Sequence, residues 1–232
     1  MSRMTALDFV TEVRLHLGGE TEETLSDNQI LRWVNRSYIE LCSLYDFEEL
    51  ETSTSVTTAS GTAEYAVPST GAGDILTVNS VIDTTNKFTL RPWSGDQYDD
   101  ATQGDSANIT GQPVFWHWSG VGPTSDTVPY TVRQMTFFPT PDGTYTLTVS
   151  YRKKPAELVL TTTPTSPVIL EPFDDVIVLK ASSKGWRALG DDDKSYKATL
   201  SAAASEKIAL ASAGQASSAP YYIHSVIGSA LR

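Results

Sequence analysis

The sequence predicts an α+β protein, a four-helix core carrying an inserted β domain, from three observations. Thr is concentrated between Thr52 and Thr165, Ala is concentrated after Ala181, and the apolar spacing changes from helical to alternating and back near those borders. A chain of 232 residues can bury such a core without disulfide or metal staples. The expected parts are a helical hairpin at 1–50, an antiparallel sandwich or barrel-like domain at 51–165, helices completing the core at 166–213, and an extended tail at 214–232.

The first helix starts at Thr5, whose hydroxyl can cap while Asp8 favours the positive helix end. Phe9, Val10, Val13 and Leu17 then share a face, and Gly18-Gly19 ends the run. Ser26-Asp27-Asn28-Gln29 is a capping-box signature for a second helix, with Ile30, Val34, Tyr38, Leu41 and Tyr45 at helical spacing. Trp33 and Cys42 widen that stripe. Two short helices separated by a few polar residues are expected to pack as an antiparallel pair.

Seven short β-branched or alternating runs follow: Ser53 to Thr58, Glu64 to Val67, Leu76 to Ile82, Phe88 to Arg91, Val114 to Trp118, Thr131 to Phe138 and Tyr145 to Arg152. Ser60-Gly61, Ser69-Thr70-Gly71, Thr85-Asn86, Gly111-Gln112-Pro113 and Pro141-Asp142-Gly143 supply turn chemistry between them. The last is the sharpest hairpin signal, joining Phe137-Phe138 to Tyr145, Leu147 and Val149. With no helical pattern between these runs, antiparallel pairing is expected.

Helical spacing returns after Pro172, with Asp174 and Asp175 in the first turn and Val176, Leu179, Ser183 and Trp186 following to Gly190. Asp191-Asp192-Asp193 opens a fourth helix that Gly214 closes. Its many small Ala and Ser residues admit a close neighbour, whether within the chain or from another subunit. The tail from Gly214 begins as a Gly/Ser/Ala linker and ends in Tyr221, Tyr222, Ile223, Val226, Ile227 and Leu231, too apolar for a merely solvated end.

The net charge of −11 disfavours a protein that grips DNA by neutralising phosphates. One cysteine, Cys42, excludes an internal disulfide framework and reads as a helix-packing residue. His16, His117 and His224 stand on separate elements without metal-ligand spacing, so no metal or cofactor is expected. The amino terminus has no signal-peptide apolar core and no 18-residue apolar run occurs, which predicts synthesis in the cytoplasm and no membrane span. The Asn108-Ile109-Thr110 sequon then carries no meaning.

No phosphate-binding loop, dinucleotide fingerprint, nucleophile elbow or HExxH zinc motif is present. Two carboxylate groupings invite comparison with a glycosidase pair, Asp191 to Asp193 and, in an expected loop after Trp93, Asp96, Asp99 and Asp100, the latter of which would make the chain a peptidoglycan hydrolase. A loop of Asp with Gly and Gln is more simply solvated, and Asp191 to Asp193 suits a helix start. Trp93, Trp116 and Trp118 could present a sugar-stacking platform. The shared parity of Val114 and Trp116 instead favours the inner face of a sandwich.

Several segments together resemble the head-to-tail adaptor, or connector, proteins of tailed bacteriophages. They are Leu25-Ser26-Asp27-Asn28-Gln29-Ile30, Trp33-Val34-Asn35-Arg36-Ser37-Tyr38, Gly111-Gln112-Pro113 with Phe115-Trp116, and Met135 to Pro141. Tyr145-Thr146-Leu147, Tyr151 to Pro155, Phe173-Asp174-Asp175 and Leu189-Gly190-Asp191-Asp192 continue the order across nearly the whole chain. The resemblance implies a ring of copies, usually twelve, beneath the portal in the neck of the virion, with a tail protein below and DNA passing through without sequence-specific binding. It also implies that the carboxy-terminal segment docks on the portal, so Tyr221, Tyr222, Ile223, Val226 and Ile227 are the expected anchors, and that the small-residue face of the fourth helix meets the next copy, so Ala203, Ala204, Lys207 and Ala211 are the expected subunit interface. No catalytic residue carries over. Some relatives in short-tailed phages are proposed to cut cell-wall glycan, and this sequence has no motif to transfer for that.

Overall fold

The computed structural model describes residues 3–19, 24–67, 75–102, 109–121, 133–161 and 165–216. Among them are five α-helices and nine β-strands, and the chain divides into two compact units, Met1–Glu49 with Pro155–Arg232, and Leu50–Lys154. The expected turn at Ser69-Thr70-Gly71, the sequon's Asn108, His224 and all the tail anchors lie outside the described residues.

In the first unit, α1 (Ala6–His16) begins with a complete capping box: Thr5 Oγ1 accepts from the Asp8 N–H, and the Thr5 N–H donates to Asp8 Oδ2. Phe9, Val10, Val13 and Leu17 are buried as the spacing predicts, and Gly18 and Gly19 take positive φ of 88° and 75° at the exit. In α2 (Asp27–Leu44), Ser26 Oγ accepts from the Gln29 N–H, and Ile30, Val34, Tyr38 and Leu41 are buried.

Helix α4 (Asp174–Ala188) follows a 3-10 turn, Glu171–Phe173, that contains Pro172. It packs on α1, α2 and α5 (Asp192–Ala216). Gly185 permits the closest approach, because a Cβ there would stand 2.7 Å from Leu17 Cδ1 and 3.1 Å from the Trp33 ring. Helix α5 runs past Gly214, which therefore does not close it. Helical geometry tolerates one glycine at a cost near ~1 kcal/mol.

The second unit is a curled seven-stranded sheet in the order β1-β9-β3-β4-β6-β7-β2. Its strands are β1 (Glu51–Thr57), β2 (Glu64–Ala66), β3 (Ile75–Asp83), β4 (Phe88–Pro92), β6 (Phe115–Val121), β7 (Arg133–Phe138) and β9 (Thr146–Lys153). Strand β4 serves both halves, pairing with β3 through Phe88 to Leu90 and with β6 through Arg91 and Pro92. Curling brings Val56, Val81, Leu147 and Val149 from one half against Met135 and Phe137 from the other, so one core fills the unit.

Four further sequence expectations need correction. The sheet is not purely antiparallel, because β4 and β6 run parallel. Between them lies α3 (Gly95–Thr102), where a loop was expected, and a crossover of this kind lets the second strand run in the same direction as the first. The signal is present in the sequence: Ser94 and Gln97 form a reciprocal capping box, with Ser94 N–H to Gln97 Oε1 at 3.1 Å and Gln97 N–H to Ser94 Oγ at 3.2 Å.

The hairpin expected at Pro141-Asp142-Gly143 does not form, since β7 and β9 are not neighbours. Thr140–Pro141 (β8) instead pairs parallel with Thr110–Gly111 (β5), and the Pro141 carbonyl accepts from the Gly61 N–H, so that backbone is spent on other segments. Finally, Val114 precedes β6 and is 38 % exposed, while Trp116 and Trp118 alone of that trio pack against the core.

Candidate functional site

Helix α5 separates its residues cleanly. Ser195, Ala202, Ala209 and Ala213 are buried, whereas the expected interface residues Ala203, Ala204, Lys207 and Ala211 are all exposed. On the same outward side Tyr196, Leu200 and Ile208 are 65 %, 53 % and 69 % exposed. Burying such side chains is worth about 1.5–3 kcal/mol each, so a contact that covered this file would be favourable.

Beside this file a groove of about 630 Å³ runs between α2, α4 and α5. Arg36 and Glu40, one turn apart on α2, face Lys180, Lys184 and Arg187 on α4, with Glu206 contributed by α5. Lys180 bridges Glu40 at 3.6 Å and Glu206 at 3.3 Å, and Lys184 reaches Glu40 at 3.2 Å and Ser37 Oγ at 2.9 Å. Burial works to raise the Glu40 carboxyl, but Lys184 and Lys180 outweigh it and hold it below its ordinary value. Burial also lowers the Lys184 ammonium, only partly offset by Glu40. Tyr45 donates to Glu206, and burial followed by that hydrogen bond pushes its hydroxyl well above the ordinary range.

A second groove of about 600 Å³ lies beside α1, lined by Asp8, Glu12 and His16 with Asp175 of α4. Near it Asp174 is 4 % exposed, with neither carboxylate oxygen hydrogen-bonded to a side chain. Burial dominates there and raises its pKa to about 6 against the opposing effect of Arg3. The Arg3 guanidinium itself donates to the Val168 and Ile169 carbonyls.

The other candidates have structural settings. Asp96 and Asp99 are exposed one turn apart on α3, and the side chain of Asp100 lies outside those described. Trp93 stacks on Phe115 at 4.1 Å and on Phe138 at 5.2 Å, so it covers the sheet instead of lining an open platform with Trp116 and Trp118. Those two meet edge to face at 6.3 Å. His117 is buried beside the Tyr98 ring, His16 is exposed at the α1 groove, and Cys42 is buried. Asp191 caps α5 by accepting from the Lys194 N–H at 2.9 Å. Among the described residues no group of three or more His, Cys, Asp or Glu could hold a metal, and no helix is long and apolar enough to cross a membrane.

The four α5 residues singled out from sequence are exposed, and the groove beside them was missed. Arg36 and Glu40, like Lys180 and Lys184, are visible as i,i+4 pairs; that they converge from two helices is a tertiary fact. In comparison with known proteins, the family model of the SU10 adaptor protein matches residues 4–223, nearly the whole chain. No curated protein matches the sequence.

Proposed function

We propose a function from one premise: the chain belongs to the SU10 adaptor protein family and is a phage head-to-tail adaptor, a structural virion component associated with portal and tail proteins. On our reading it forms a ring of copies, twelve in number, beneath the portal, links the capsid to the tail and lines part of the DNA conduit. Catalysis has no part in this role. The match over residues 4–223 carries the reading, because it spans both units and reaches into the tail.

Two physical features support it. Helices α1, α2, α4 and α5 belong to one compact unit and residues 50–154 form another, as expected of a four-helix core with an inserted β domain. The net charge of −11 also suits a wall along which DNA must slide, since a basic wall would retain phosphate. Tyr221, Tyr222, Ile223, Val226 and Ile227 act as portal anchors, laying apolar side chains into a groove of the portal.

Electron microscopy of the full chain mixed with the portal ring from the same genome tests this reading. An ordered second ring of equal subunit number is expected, and deletion of residues 215–232 abolishes docking while leaving the fold intact. Absence of any complex across a range of salt concentrations refutes the role, and full docking by the truncated chain refutes the role of the tail.

A further inference from the structure

The groove between α2, α4 and α5 carries four cations against two carboxylates in a chain that is acidic overall. Lys180 and Lys184 are engaged by Glu40 and Glu206. Arg36 and Arg187 are exposed and make no ion pair among the described residues. The groove includes Ala203, so it is continuous with the exposed file of Tyr196, Leu200 and Lys207 on α5. The surface is therefore an apolar strip with a local excess of positive charge along one side.

The complement of that surface occurs on α1 of the same chain. Opposite its buried face, Leu7 and Leu15 are 56 % and 62 % exposed, with Thr11 between them and Asp8 and Glu12 alongside. With Asp175 the groove beside α1 carries three carboxylates against the Arg3 guanidinium. Leu7 and Leu15 are eight residues apart, about 12 Å along a helix, and on the groove flank of α5 the run from Tyr196 through Leu200 to Ala203 spans seven residues, about 10 Å. The two faces thus match in length, in apolar character and in sign of charge.

We propose that the cationic groove receives the outward face of α1 from a second copy of this chain. Leu7 and Leu15 of the incoming copy cover the α5 strip, and Asp8 and Glu12 meet Arg36 and Arg187. Groove and α1 face are different surfaces, so the contact is heterologous: each copy offers its groove to one neighbour and its α1 to the other. Such contacts close into a ring when the rotation permits, and the inference deepens the adaptor reading, on which it rests for the setting in which the ring forms. Complementary charge specifies which faces meet, while the apolar strip supplies most of the affinity.

Cysteine cross-linking of the full chain tests the contact cleanly, because the one native cysteine, Cys42, is buried. A Thr11→Cys population is mixed with an Ala203→Cys population, free at high concentration and separately docked on the portal, and treated with a short bifunctional thiol reagent. The mixed product is expected to form at least tenfold faster than either self-product. Arg187→Glu in the second population removes that preference, and adding Glu12→Arg to the first restores it. Equal rates for mixed and self-products in both states overturn the contact, as does a preference unaffected by the charge reversal. Docking without preferential cross-linking removes this contact and leaves the adaptor reading standing; preferential cross-linking in a chain that does not dock has the opposite meaning.

Discussion

Asn35 ties α2 to the chain returning from the β unit, and its removal has a calculable cost. Its Nδ2 donates to the Leu158 carbonyl at 2.9 Å, and its Oδ1 accepts from the Leu158 N–H at 2.8 Å. Both residues are buried, so water cannot replace either bond. Residues 155–161, given to the β domain by composition, are held through this pair to the helical unit. Asn35→Ala leaves one donor and one acceptor buried and unpaired, at about 1–3 kcal/mol each, so the expected loss is about 2–6 kcal/mol.

Asn35→Asp isolates the donor. At neutral pH the introduced carboxylate still accepts from the Leu158 N–H but faces the Leu158 carbonyl without a proton to share. The folded form then favours a protonated carboxyl, so the pKa of the introduced group lies above its unfolded value near ~3.9. Stability is therefore fullest below that value and is lost as pH rises through the folded pKa. Urea denaturation followed by far-UV circular dichroism measures both variants, and hydrogen exchange at the Leu158 amide reports the bond itself. A loss below about 0.5 kcal/mol for Asn35→Ala, with unchanged protection at Leu158, would overturn this account of the tie.

Asp174 has its pKa raised to about 6 by burial, so the folded state binds its proton more tightly than the unfolded state does. Stability from this group is present below pH 3.8 and is lost as pH rises through about 6, a span worth about 3 kcal/mol. Asp174→Asn is expected to flatten the pH profile in that window and to raise the melting temperature at pH ~8; an unchanged profile counts against a buried, poorly compensated carboxylate. Gly190 has φ of 80° with open space around it, so Gly190→Ala costs only the left-handed backbone penalty, about 1–2 kcal/mol. A stabilised Gly190→Ala variant in thermal denaturation would exclude that conformation at the α4–α5 turn.

Much of this fold is legible along the chain because its cues are local. Thr5 with Asp8, Ser26 before Gln29, and the i,i+4 apolar files of α1 and α2 set helix starts and faces without reference to distant residues. Ser94 to Gln97 carries the same kind of cue for α3, but Gly and three Asp residues nearby outweighed it. The Pro141-Asp142-Gly143 signal failed for the opposite reason. Turn chemistry specifies a reversal, not which strands lie beside each other, and that choice went to the packing of Phe137 and Leu147 in a common core from separate halves of the sheet.

The surfaces divide along the same line. Sequence alone determined the small-residue pattern of α5, a net charge of −11 that disfavours gripping DNA, and an order of segments that is that of an adaptor. Only the tertiary structure decided that Arg36 and Arg187 border one groove while Asp8, Glu12 and Asp175 border another. Helical periodicity gives each side chain an angle about its own axis, but the charge of a groove is the sum over several helices, and their relative placement is set by non-local packing such as that of Gly185 against Leu17 and Trp33.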